Sequence, residues 1–142
     1  MAWTYDDGGR AAAGYIGDAG DCVCRAIAIA TGRPYQEIYD ALNELGAKER
    51  RSRKRRGKSS ARTGVFKPTT RRFMEALGWR WTPTMSIGQG CKVHLRADEL
   101  PGGRLVVAVS KHLVAVIDGL IHDTHDPSRD GTRCVYGYWS AP

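Results

Sequence analysis

Two hydrophobic rhythms divide this chain. Between Asp21 and Gly78 apolar residues recur three and four positions apart, the spacing of one buried helical face. Asp21 is a favoured N-cap residue, Val23, Ala26, Ile27 and Ala30 follow it, and Gly32 supplies the stop. Because Ala28 and Ile29 are apolar as well, this first helix is expected to be buried on most of its circumference. Pro34 suits the first turn of a second helix whose stripe is Ile38, Tyr39, Leu42 and Leu45, ending at Gly46. A third helix follows Lys67 and Pro68, with Phe73, Met74 and Leu77 on one side and Gly78 as its end. Beyond Gly78 the period changes to short β-rich runs at Trp79–Met85, Leu105–Ser110, His112–Ile117, Leu120–Thr124 and Cys134–Trp139, separated by Gly, Pro and Asp. Helices first and strands afterwards predict an α+β protein with helices packed on a C-terminal antiparallel sheet. Met1 to Gly20, with Trp3, Tyr5, Tyr15 and Ile16 as its large apolar groups, reads as an extended lead-in that packs through its aromatics.

Composition narrows the class. At 142 residues the chain fits a single domain, 1–142, large enough for one core without metal or disulfide staples. It has no apolar run of membrane-spanning length and no apolar signal core in Met1–Arg10, so no membrane partner and a cytoplasmic location are expected. The net charge of +7 invites a nucleic-acid reading, but nine Lys or Arg against Glu49 lie between Lys48 and Arg62, a net of +8 that leaves −1 for the rest. The basicity is one segment. KERRSRKRRGKSSARTG has no apolar residue larger than Ala and repels itself, so a mobile, solvated insertion at about 47–64 is expected. Arg50, Arg51, Arg53, Lys54, Arg55, Arg56 and Lys58 are its candidate contacts to the phosphates of a nucleic acid or another polyanion. A solvated face and a substrate-gating loop are the other readings.

The chemistry converges on one hairpin. Asp118-Gly119 between two apolar runs is the sequence of a two-residue type I′ turn, so Ile117 pairs with Leu120 and the partner numbers sum to 237. His112, Val114 and Val116 then share a face with Ile121, Asp123 and His125, and His112 and Asp123 become diagonal neighbours across two strands. A base and its orienting acid fit those positions, whereas Asp126 falls on the other face, opposite Lys111. Cys22 opens the buried helix, where unpaired N–H groups and the helix dipole stabilise a thiolate. The triad expected is Cys22, His112 and Asp123. Residues 10 to 21 contain neither Gln nor Asn, so the oxyanion donors considered are the Cys22 N–H with Asp18 or Asp21. His125 is a reserve base, and His94 and His122 read as structural or surface groups. Cys24, Cys91 and Cys134 read as packing thiols, free in a reducing compartment. Cys22-x-Cys24 lacks zinc-knuckle spacing and the other two cysteines have no near partner in sequence, so neither metal nor cofactor is expected.

The segments GDCVCRAIAIATG (Gly20–Gly32) and KHLVAVIDGLIHDTHDP (Lys111–Pro127) resemble the papain-like cysteine peptidase superfamily, most closely its peptidase C39-like members. With the sequence between them, they also resemble small uncharacterised proteins of actinobacterial bacteriophages. The resemblance implies a papain-like fold in which Cys22, His112 and Asp123 are nucleophile, base and third residue. It implies a peptidase, isopeptidase or amidase, or an acyl transferase, acting through a thioester on a peptide, isopeptide or amide substrate, with a host protein in the cytoplasm of an infected bacterium as one candidate. The competing expectation is an inactive papain-like binding protein that docks nucleic acid or an acidic host protein through the basic segment.

Overall fold

A computed structural model describes residues 1–17, 19–50 and 57–142. Three α-helices precede most of a six-stranded mixed sheet, giving the α+β class. The first helix, α1 (Cys22–Thr31), buries Val23, Cys24, Arg25, Ala26, Ile27, Ala28 and Ala30, as its apolar circumference predicts. Gly32 ends it in the left-handed region at φ 71°, a conformation open to glycine without a Cβ clash. Helix α2 (Tyr35–Ala47) starts after Pro34 and buries Tyr35, Ile38, Leu42 and Gly46 on one stripe. Helix α3 (Lys67–Ala76) carries its proline in the first turn and buries Thr69, Thr70 and Met74.

The strands are β1 (Trp3–Tyr5), β2 (Arg80–Pro83), β3 (Arg104–Val109), β4 (His112–Ile117), β5 (Leu120–Asp123) and β6 (Gly137–Ser140), in the order β1-β5-β4-β3-β6-β2. The sheet is not purely antiparallel: β1, inside the supposed lead-in, pairs parallel with β5, Tyr5 opposite Asp123. Trp3, Tyr5 and Ile16 are exposed rather than packed. Tyr15 is the lead-in aromatic that docks, with its ring 4.5 Å from that of Tyr39 and 5.6 Å from that of Tyr35.

Both faces of the sheet are covered. Val106, Ala115 and Trp139 face a core shared with the three helices. Leu105, Val107, Val109, Val114, Val116 and Ile121 pack on the other face with Leu95 and Val135. Adjacent strand residues thus enter different cores, which is why these runs read as continuously apolar rather than alternating.

Two further expectations change. Cys91 and Cys134 are not free thiols: they form a disulfide with Cα atoms 5.8 Å apart. The foot of the basic segment is packed rather than solvated, with Ser59 and Ala61 buried and the Ala61 N–H bonded to Asn43 Oδ1 at 2.8 Å. Gly46 permits this approach, because a Cβ there would lie 2.2 Å from the Ser59 carbonyl oxygen.

Candidate active site

Cys22 is the first residue of α1, where N–H groups lack intrahelical acceptors. Asp21 precedes it but does not cap the helix with its side chain. Its carboxylate is buried, accepting hydrogen bonds from Arg25 Nη1 and, at 2.6 Å, from the Tyr35 hydroxyl, with Arg10 Nε 3.6 Å away. Both of its oxygens accept hydrogen bonds here, which does not fit the oxyanion-donor role considered for it. Asp18 lies outside the described residues.

The hairpin has the expected geometry. Asp118 and Gly119 have φ of 47° and 81°, the two positive values a type I′ turn requires. Ile117, Val116 and Ala115 pair with Leu120, Ile121 and His122. His112 Nε2 lies 2.7 Å from Asp123 Oδ2, and the two side chains are 11% and 3% exposed, shielded enough for the contact to be strong. The rings of His112 and His125 lie 5.2 Å apart, the exposed His125 flanking the pair. Asp126 instead accepts from the N–H and hydroxyl of Ser128.

With Nε2 committed to Asp123, Nδ1 is the ring nitrogen left for a thiol, and Cys22 lies near enough for the two groups to shift each other's titration. Burial pushes the half-buried Cys22 thiol up. Hydrogen bonds from His112 and the Leu113 backbone N–H, with the charges of His112 and Arg25, outweigh burial and hold it below its ordinary value. Burial likewise opposes the charged form of His112, but Asp123 and Cys22 overcome it and raise the imidazole to about 9. Asp123 is pushed up by burial and down more strongly by His112, the Thr124 N–H and Arg25, ending below its usual range. All three shifts favour a thiolate, an imidazolium and a carboxylate. Cys24, two residues on, is the opposite case: burial and Asp21 push it up to about 12, which leaves it an inert thiol.

Arg25 was not singled out from sequence. Its Nη2 lies 3.3 Å from Asp123 Oδ1 while Nη1 bonds Asp21, so one buried guanidinium joins the start of α1 to the end of β5. The available signal was a lone charge in an otherwise apolar helix, four residues after an Asp, because a buried charge requires a partner. Thr124 was also missed; its N–H donates to Asp123 Oδ1 at 2.7 Å. Strand β1 adds a backbone clamp, with the Asp6 N–H bonded to the Asp123 carbonyl at 2.9 Å.

His112, Asp123 and His125 bring one ligand atom each within 4.8 Å, a geometry open to a metal ion. The Arg25 guanidinium on Asp123 places a positive charge beside that position, which favours acid–base chemistry over cation binding. Of the polyanion candidates, Arg50 is exposed, and Lys58 is exposed and donates to the Ala47 carbonyl at the end of α2 at 2.9 Å. Arg51, Arg53, Lys54, Arg55 and Arg56 lie outside the described residues. No helix among the described residues is long and apolar enough to cross a membrane. No protein-family model, curated protein or solved structure matches this chain.

Proposed function

We propose that this chain is a cysteine-nucleophile hydrolase or acyl transferase with a papain-like arrangement, acting on a peptide, isopeptide or amide bond. The observation that carries the reading is the 2.7 Å contact of the shielded His112 with Asp123, which lines one cleft with Cys22 at the start of α1. The Cys22 thiolate attacks the acyl carbon, and the oxyanion that forms is met by N–H groups at the start of α1, beginning with that of Cys22 itself. The His112 imidazolium gives its proton to the leaving nitrogen, and the amine departs from a thioester. Neutral His112 then takes a proton from water, or from an acceptor amine, as that nucleophile attacks the thioester. Thiolate and imidazolium are regenerated. Asp123 keeps the ring oriented and stabilises its positive form throughout, the role of the acid in a triad.

Exposure to an activated acyl ester followed by acid quench and intact-mass analysis tests this reading. One acyl group should appear on Cys22, and Cys22→Ala should carry none. Acylation spread over Lys side chains, unchanged in Cys22→Ala, would sink it.

A further inference from the structure

We propose that Cys91, His94 and Cys134 in their reduced form hold a zinc ion, with Glu99 fixing the His94 ring. Each of the three offers one ligand atom, and these atoms lie within 4.8 Å of one another, although Cys91 and Cys134 are 43 positions apart. Sequence spacing gave them no near partner; the fold brings them together. An antiparallel bridge pairs His94 with Cys134. It is flanked by hydrogen bonds of 2.8 Å from the Leu95 N–H to the Arg133 carbonyl and from the Val135 N–H to the Val93 carbonyl. Leu95 and Val135 are fully buried, so the backbone that presents His94 and Cys134 is anchored whatever the state of the sulfurs.

The second observation is the surroundings of His94. Its Nδ1 lies 3.2 Å from Glu99 Oε1, and Arg96 Nε lies 3.5 Å from the other carboxylate oxygen. A carboxylate on one ring nitrogen is the usual outer partner of a metal-bound histidine, fixing the tautomer and leaving Nε2 to ligate. Two thiolates and one imidazole are soft and borderline ligands suited to zinc, and the thiolates cancel the charge of the dication. The fourth tetrahedral position falls to water.

The disulfide and the metal are alternative states of one clip. Two molecules of a small thiol reductant give two electrons and two protons to the Cys91–Cys134 bond and leave as their own disulfide. Zinc then displaces the two thiol protons. The sulfurs must separate to about 3.8 Å, the span of two Zn–S bonds of about 2.3 Å in a tetrahedron. Either state fastens Val93–Leu95 to Arg133–Val135 over the second core.

The test is a cobalt(II) titration, with zinc competition, of chelator-treated full-length protein kept in a phosphine reductant. One equivalent should give intense thiolate-to-cobalt absorption and be displaced by zinc. Cys22→Ala should bind as wild type, whereas His94→Ala should bind at least tenfold more weakly, and Glu99→Gln about 10- to 100-fold more weakly. His94→Ala keeps both thiols, so closure of its disulfide on oxidation shows that its fold is intact and that the lost affinity is that of the imidazole ligand. Absent thiolate absorption, equal binding by oxidised protein, or binding kept in His94→Ala and lost in Cys22→Ala would each overturn the proposal.

Discussion

Arg25 Nη2 stands 3.3 Å from Asp123 Oδ1, and that contact ties the helix bearing the nucleophile to the strand bearing the acid. The same guanidinium bonds Asp21, so its loss takes a cationic partner from two buried carboxylates. Arg25→Met should destabilise the fold by about 3–5 kcal/mol in urea denaturation. Arg25→Lys should recover little, since an ammonium cannot span two acids as a planar fork does. A cost under about 1 kcal/mol for Arg25→Met would show the bridge to be incidental.

Asp123 and Asp126 are three residues apart and should behave oppositely. Asp123→Asn removes the charge that raises His112 and should slow acylation of Cys22 by about 10²- to 10⁴-fold. Asp126→Asn alters a turn around Ser128 and should leave the acylation rate unchanged. Stopped-flow acylation of the two variants separates the register-derived assignment from its alternative.

Stability should be nearly independent of pH where the dyad shares one proton. His112 is raised from 6.5 to about 9, so its contribution is complete below pH 6.5 and is lost as pH rises through about 9. Cys22 is lowered from 9.0, so its contribution is complete above pH 9.0 and is lost as pH falls through its depressed folded value. Over the interval where both apply, the folded thiol has released a proton that the folded imidazole holds, and the slopes cancel. In Cys22→Ala only the His112 slope remains, so stability should fall as pH rises from 6.5, relative to wild type. Denaturant melts at half-unit pH steps measure this; parallel curves for the two proteins would contradict a shared proton.

Gly46→Ala tests the packed foot of the basic segment. Its Cβ would meet the Ser59 carbonyl, and the displacement should cost about 1–3 kcal/mol. Hydrogen exchange at the Ala61 amide, which bonds Asn43, should rise with it.

The site was legible in the sequence where local rules act. Asp118-Gly119 set a turn, the turn set the register, and the register put His112 beside Asp123. Gly32, Pro34 and Pro68 marked helix boundaries through backbone restrictions that operate residue by residue. Contacts across long sequence separations were hidden. Nothing in Trp3–Tyr5 shows that it pairs parallel with β5, because an edge strand needs no continuous apolar face. Cys91 and Cys134 meet only because Val93–Leu95 and Val135 cover the second core. Arg25 was visible as an anomaly, but one of its partners lies 98 positions away.

The pH dependence of Cys22 alkylation by iodoacetamide, read by peptide mass spectrometry in wild type and His112→Ala, tests the thiolate–imidazolium pair most directly. In wild type the alkylation midpoint should fall below the ordinary thiol value of 9.0, and His112→Ala should move it upward. A midpoint at or above 9.0, unchanged by His112→Ala, would contradict an activated nucleophile at Cys22.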